Sequence, residues 1–247
     1  MIRHLALCLC LLASPLSAQC RQALALGLDV SGSVDSREYQ MQLLGLANAM
    51  QDAEVVALFL ANPSAPVRLA IFEWSEAGHQ RLLLPWTEIS NETVLQQVSA
   101  LLRTTQRTAG PAGTAVGSAM LYGVERLREQ PDCWKHTLDL SGDGKHNLGP
   151  HPSAVKTRLL ESGITINGLV IGADDPRADD KRQVQIGELS AYYSAWVILG
   201  PGAFVEVALG FKDYEAAMVR KLKRELESPS LSRLAHPVQA AGGADGQ

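Results

Sequence analysis

The feature that most constrains the fold is an apolar segment that ends abruptly in polar side chains. Residues 22–30 have the sequence QALALGLDV, and this short apolar run predicts a buried strand that finishes at Asp29. Similar apolar runs alternate with amphipathic stretches along most of the chain. Strands separated by helices predict an α/β fold that is doubly wound, with a mostly parallel central sheet and helices on both faces.

Local signals place several elements within this alternation. Asp35 and Glu38 form a capping-box pattern at the start of the first helix. The runs VRLAIFEWS and QRLLLPWTEI predict two strands of an antiparallel hairpin, and Pro85 places the second at the edge of the sheet. We expect the charged segment 172–183 to be a solvated loop, and SAWVILG, residues 194–200, to be another strand.

Length and composition favour one main domain, preceded by a signal peptide and followed by a disordered tail. The chain has 247 residues, of which 46% are hydrophobic, enough for one sizeable core. Residues 1–18 resemble a secretory signal peptide, and the alternative is an N-terminal anchor, although the apolar run is short for a membrane span. We therefore expect a domain over residues 19–227 that is exported to the periplasm or secreted, with no integral membrane segment in the mature chain. The Ala, Gly and Pro content of residues 228–247 predicts a disordered tail.

The charge of the chain argues against nucleic acid as a partner. The formal net charge is −4, and loss of Arg3 with the signal peptide makes the mature chain more negative. Nucleic-acid binding draws most of its affinity from contacts between basic side chains and phosphates, so an acidic chain of this kind is poorly suited to it.

Oxygen-bearing side chains follow two of the predicted strands. Asp29 ends the first strand, with Ser31 and Ser33 in the loop after it, and Asp143 ends the strand HTLDLSGDG. Thr114 lies at the start of a predicted helix between them. In a doubly wound sheet, ligands bind beyond the carboxyl ends of the strands where strand order reverses, so these groups converge if the two strands flank that point.

Two carboxylates and three hydroxyls make a hard oxygen site suited to Mg²⁺ or Mn²⁺. With only two negative charges around it, such an ion would seek a further anionic oxygen. The alternative is that each of these side chains merely caps a helix or a turn.

The motifs DVSGS, GT and SGDG together resemble the metal-ion-dependent adhesion site (MIDAS) of von Willebrand factor type A (vWA) domains, which share the integrin inserted-domain fold. The resemblance spans about Gln22 to Leu226. It implies that Ser31, Ser33 and Thr114 ligate the ion directly, that Asp29 and Asp143 largely hold bound waters, and that a protein partner's Asp or Glu completes the coordination.

Three further segments resemble one branch of the vWA domains, and the residues before Asp143 differ from the usual pattern. The segments EYQMQ, FEWSEAGHQRLLLPWTEI and LDLSGDGKHN resemble a bacterial exported branch of these domains that is catalogued as a domain of unknown function. Many relatives have a threonine directly before the second aspartate, where this chain has Ser141 and Gly142 before Asp143. That difference changes the geometry of the loop and leaves the carboxylate in place.

The cysteines provide an independent test of the predicted topology. Cys8 and Cys10 lie in the signal peptide, which leaves Cys20 and Cys133, an even number in an oxidising compartment. Each precedes one of the two aspartates by a similar number of residues, so both should lie at the same height on neighbouring strands, opposite the metal. Adjacent strands are about 4.8 Å apart, which a disulfide tolerates, and we predict a Cys20–Cys133 bridge.

Function is expected to be non-enzymatic protein binding that depends on a divalent metal. One alternative is a metal-dependent hydrolase of the phosphatase type, but such enzymes need a second carboxylate where this chain has Ser31. A structural domain with a vestigial site is another. The spacing of His136, His146 and His151 fits no common zinc template, so these are expected to be surface or loop residues.

Overall fold

The computed structural model describes residues 20–108, 110–172 and 179–227, apart from the side chains of residues 179–182. The predicted signal peptide and the predicted tail both lie outside this part of the chain. Within it, no helix is both long enough and apolar enough to cross a membrane. The strands are β1 Gln22–Asp29, β2 Val67–Trp74, β3 Gln80–Ile89, β4 His136–Gly142, β5 Thr165–Ile171 and β6 Val205–Ala208. The helices are α1 Ser36–Ala49, α2 Ala53–Phe59, α3 Glu92–Thr104, α4 Val116–Arg128, α5 Pro152–Leu159, α6 Asp179–Trp196 and α7 Tyr214–Leu226, with a short 3₁₀ helix at Phe211–Asp213.

The six strands form one sheet in the order β3-β2-β1-β4-β5-β6. Only β3 runs antiparallel to its neighbour, and it lies at the edge of the sheet. The predicted doubly wound sheet with one antiparallel edge strand is therefore confirmed. Strand order reverses at β1, which pairs in parallel with both β2 and β4, and Leu28 lies opposite Ser141 in the register. The carboxyl ends of β1 and β4 consequently finish side by side.

The core has two layers because side chains of β1 alternate between the faces of the sheet. Leu24, Leu26 and Leu28 pack with side chains of α1, α3 and α7 on one face. Ala23 and Ala25 pack with side chains of α4, α5 and α6 on the other. Small side chains on the second face allow those helices to approach the sheet closely.

Two expectations about the segment before β6 are wrong. Residues 173–178 of the expected loop lie outside the described residues, whereas residues 179–183 belong to α6 and not to a loop. The start of SAWVILG is helical as well, because α6 extends to Trp196. Leu189, Tyr193 and Val197 recur at helical spacing and are buried, and this apolar stripe favours a helix over a strand. The chain then returns through an isolated antiparallel bridge between Leu199 and Ile166 to β6, which pairs in parallel with β5.

The predicted disulfide between Cys20 and Cys133 is confirmed. The two residues form an isolated parallel bridge next to β1 and β4, with their Cα atoms 4.4 Å apart. They lie at the amino ends of the two strands, opposite Asp29 and Asp143. The bond thus joins β1 to β4 at the end of the sheet that is remote from the polar loops.

A fully buried ion cluster joins α7 to the sheet. Lys221 lies 3.1 Å from Asp139 on β4 and 2.8 Å from Glu225, and all three side chains are almost completely buried. Asn167 on β5 donates a 2.7 Å hydrogen bond to the same Glu225 oxygen. Burial alone would lower the pKa of Lys221, but the two neighbouring carboxylates raise it above its ordinary value, so the ammonium stays charged.

We predict that removal of the disulfide destabilises the protein substantially. The bond closes a loop with a sequence separation of 113 residues, and in the chain-entropy model a loop of this size contributes about 5 kcal/mol by restricting the unfolded chain. The measurement is urea unfolding with and without a reducing agent. A Cys20→Ser/Cys133→Ser variant should unfold at a lower urea concentration than the parent and should not respond to reductant. Equal unfolding midpoints for the parent and this variant would contradict the prediction.

Candidate metal centre

The loop after β1 is organised around the buried carboxylate of Asp29. The backbone N–H of Ser31 donates a 2.8 Å hydrogen bond to Oδ1 of Asp29, and the Gln42 side chain on α1 donates to the Asp29 carbonyl at 3.1 Å. The N–H of Val30 donates to the carbonyl of Trp74 on β2. Asp29 and Ser31 are fully buried, whereas Ser33 is exposed. The loop is therefore fixed in place by the elements on either side of it.

Direct contacts join this loop to the end of β4. The Ser33 hydroxyl donates a 2.6 Å hydrogen bond to Oδ1 of Asp143. The hydroxyl oxygens of Ser31 and Ser33 are 3.1 Å apart. Four of the five predicted side chains thus form one continuous polar group at the carboxyl ends of β1 and β4.

Thr114 brings the fifth oxygen to the same place. Its N–H donates to the side-chain oxygen of Asn147 at 2.8 Å, and the N–H of Asn147 donates back to the Thr114 carbonyl at 3.0 Å. A Cβ atom placed on Gly144 would lie 3.8 Å from the Thr114 hydroxyl oxygen and 3.9 Å from that of Ser33. The two hydroxyls therefore face the same small space next to Gly144.

The competing interpretation of these residues as helix caps finds no support at α1 or α4. The capping box of α1 uses Asp35 and Glu38, as predicted, and not the serines before them. Helix α4 begins at Val116 after an Ala115 cap without a side-chain hydrogen bond, so the Thr114 hydroxyl does not cap it. The hydroxyls of Ser31, Ser33 and Thr114 remain available for another role.

The two carboxylates destabilise each other's ionised form. Burial and the neighbouring charge of Asp143 raise the pKa of Asp29 to about 7. Burial also raises the pKa of Asp143, although the hydrogen bond from Ser33 opposes this. Lys145 pairs with Glu188 at 3.0 Å, and the guanidinium of Arg107 contacts the carbonyl of Val30 at 3.5 Å, so neither forms an ion pair with the two aspartates. No cationic side chain is among the causes that shift the pKa of Asp29. A bound cation would favour the ionised form of both carboxylates.

An unsatisfied atom supports the fit of a cation to this site. Oδ2 of Asp29 is buried and has no hydrogen-bond partner within the part of the chain that the structure describes. Such an atom is costly unless another group compensates it. Among the described residues, no group of three or more His, Cys, Asp or Glu side chains could hold a metal. The candidate donors at this site are two carboxylates and three hydroxyls. This donor set suits a hard divalent ion.

Asn147 and Gln42 support the site through hydrogen bonds to Thr114 and Asp29, and the sequence pattern alone does not identify either residue as part of the site. Asn147 fixes Thr114, and Gln42 fixes the backbone of Asp29. Asn147 lies in the same loop as Asp143, and this proximity was an available signal. Gln42 lies on the inner face of α1 at a helical spacing from Tyr39 and Leu46, where a buried amide is itself unusual.

Solved structures of other proteins share the fold of this chain. A pilus adhesin, SpaC from Lactobacillus rhamnosus GG, superposes with a TM-score of 0.60 at 14% identity over 85% of this chain and 30% of its own. A von Willebrand factor type A structure from Catenulispora acidiphila gives 0.52 at 14% identity over 84% and 42%. Proximal thread matrix protein 1 from the mussel byssus, with a zinc-occupied MIDAS motif, gives 0.52 at 18% identity over 85% and 48%. This chain thus spans less than half of each of these structures, and its fold is that of vWA domains.

Residues 19–230 match the family described as a protein of unknown function, DUF1194, and the chain belongs to that family. No curated protein matches the sequence. The expected resemblance to vWA domains, and to a branch of unknown function, is confirmed.

We predict that the metal-free protein loses stability as pH rises from 3.8 towards 7. Asp29 has an ordinary pKa of 3.8 when unfolded and about 7 when folded, so the folded state binds more protons across this range. Asp139 contributes in the same direction, because burial raises its pKa to about 7 as well. In Asp29→Asn protein the fall in unfolding free energy should be shallower, as measured by urea unfolding in chelator at several pH values.

The control for this experiment is Asp132→Asn, which removes an exposed carboxylate outside the site. It should give the same pH dependence as the parent. If the Asp29→Asn and parent curves run parallel over the whole range, Asp29 does not take up a proton as predicted.

Proposed function

We propose that this domain is an exported protein-binding module whose binding depends on a divalent metal ion, Mg²⁺ or Mn²⁺. The observation that carries the proposal is the buried Oδ2 of Asp29, which has no hydrogen-bond partner among the described residues, in a site where two carboxylates and three hydroxyls converge. Ser31, Ser33 and Thr114 would hold the ion directly, and Asp29 and Asp143 would hold it largely through water. When bound, the ion supplies a Lewis-acidic position for an anionic oxygen.

A carboxylate from a protein partner is the ligand that best completes such a site. Three hydroxyls are neutral, so the two aspartates are the only formal charges among the proposed ligands, and the ion keeps affinity for a further Asp or Glu side chain. The exposed side chain of Ser33 marks the side from which the partner would reach the ion. The pilus adhesin and the byssus matrix protein with this fold are consistent with a role in protein contacts.

The disulfide supports export of the domain. Disulfides persist in oxidising compartments such as the periplasm or the extracellular space and are rare in the cytosol. The Cys20–Cys133 bond thus fits a secreted or periplasmic domain over residues 19–227, preceded by a signal peptide over residues 1–18 and followed by the tail 228–247.

Hydrolysis is the weaker proposal for this site. The position two residues after Asp29, where the phosphatase type needs a carboxylate, holds the Ser31 side chain, and its hydroxyl contacts another hydroxyl. A serine nucleophile is ordinarily activated by an adjacent His or Lys side chain. Among the described residues, the hydrogen-bond partners of the Ser31 and Ser33 hydroxyls are each other and the Asp143 carboxylate. Turnover of a generic phosphate ester by the metal-loaded protein would favour the hydrolase instead.

We predict that the parent protein binds Mg²⁺ or Mn²⁺ and that Asp29→Ala abolishes this binding. Ser33→Ala should weaken it by at least about tenfold, since even the outer partners of metal ligands affect affinity by this much. Isothermal titration calorimetry measures both effects. Ser36→Ala, at an exposed serine in the first turn of α1, is the matched control and should bind as the parent does. Absence of metal-dependent heat in the parent would refute the metal centre.

We further predict that partner capture requires the metal. The immobilised mature domain should recover a protein from extracellular or periplasmic extracts of the source organism in Mg²⁺, and much less of it in chelator. Ser33→Ala should behave as the parent does in chelator, and Ser36→Ala as the parent does in Mg²⁺. Blocking the carboxylates of the captured protein by amidation should prevent recapture. Equal recovery under all these conditions would contradict recognition through a metal-bound carboxylate.

A further inference from the structure

The hydroxyl of Tyr193 lies near the candidate metal centre. Tyr193 is on α6 and is fully buried. A Cβ atom placed on Gly142, at the end of β4, would overlap the Tyr193 hydroxyl oxygen and lie 3.0 Å from Oδ2 of Asp29. Both oxygens therefore border the same point at Gly142, and both are buried.

Two glycines create the space that the Tyr193 ring occupies. Besides Gly142 on β4, Gly168 on β5 has no side chain, and a Cβ atom there would lie 2.7 Å from Cδ1 of the ring. The side chain also packs in the core layer formed with α4 and α5. The Tyr193 side chain is thus positioned by its packing against the backbone of two strands, β4 and β5.

The hydroxyl and the carboxylate oxygen are complementary and both lack a partner. Among the described residues, neither Tyr193 Oη nor Asp29 Oδ2 has a hydrogen-bond partner, and both atoms are buried. The backbone of Asp143 lies near enough to lower the pKa of Asp29 without completing a bond to Oδ2. Burial, followed by the charges of Asp29 and Asp143, raises the pKa of Tyr193, so the hydroxyl keeps its proton and can act only as donor towards a carboxylate.

We propose that Tyr193 is a positioning residue of the metal centre, whose hydroxyl donates a hydrogen bond to Oδ2 of Asp29 in the metal-loaded site, directly or through one water. This inference rests on the proposed function, because the role of Tyr193 is to orient a carboxylate of the metal centre. The bond would orient that carboxylate from within the buried core. Groups that orient metal ligands in this way contribute about 10–100-fold to metal affinity.

The test is metal binding and metal-free stability measured on the same Tyr193→Phe protein. We expect the Kd for Mn²⁺ or Mg²⁺, measured by calorimetry, to rise by about 10–100-fold. In chelator, the unfolding midpoint should stay at the parent value or increase, because the lost hydroxyl is buried and unpartnered in the metal-free state. A merely structural role would give the reverse pattern, with lower metal-free stability and unchanged metal affinity.

Tyr192→Phe is the matched control. Tyr192 is the adjacent residue on α6, and its ring contacts the rings of His151 and Tyr193. It is not among the nearest neighbours of Gly142 or Gly168. Loss of the Tyr192 hydroxyl in this variant should leave the Kd for metal unchanged. If Tyr193→Phe binds metal as tightly as the parent, the positioning role is wrong and the metal centre stands. If the parent itself binds no metal, the proposed function is wrong, and the role of Tyr193 at a metal centre is wrong with it.

Discussion

Parallel pairing of β1 with β4 is the constraint on which the site depends. The register aligns the carboxyl ends of the two strands, and a disulfide joins them at the amino ends. Asp29 and Asp143 are thereby brought together, although burial opposes the ionisation of both and the charge of Asp143 further opposes that of Asp29. The backbone pairing and the surrounding core compensate for this local cost. The proposed cation-binding role rests on this concentration of buried carboxylates more than on any single motif.

The sequence was informative where one local signal determined one structural feature. Apolar runs and turn residues identified the strands, and the ends of two strands located Asp29 and Asp143 in one crevice. The sequence does not predict helix α6, because its first turns are charged and the apolar stripe that includes Leu189 and Tyr193 begins only later in the helix. Contacts between elements far apart in the chain, such as that between Tyr193 and the end of β4, carry no local signal at all. They become visible only when the packing of the helices on the sheet is known.

Gly142 is the position at which the sequence departs from the pattern of the vWA domains that it resembles, where a threonine before the aspartate was expected. Here any side chain would meet both the Tyr193 hydroxyl and Oδ2 of Asp29. The hydroxyl near this point comes from α6 and not from β4 itself. The absence of a side chain at Gly142 is therefore required by the packing of Tyr193.

The ion cluster on α7 limits how the domain can move. Sliding or rotating the helix would separate Lys221 from Asp139 in a region that water does not reach. Breaking one partner from a buried pair costs about 3–5 kcal/mol. Asp139 lies on β4, the strand that ends next to Asp143. The ion cluster therefore connects α7 directly to a strand that positions the site. If a partner binds at the site as proposed, it would meet a surface whose supporting helix is already held in place.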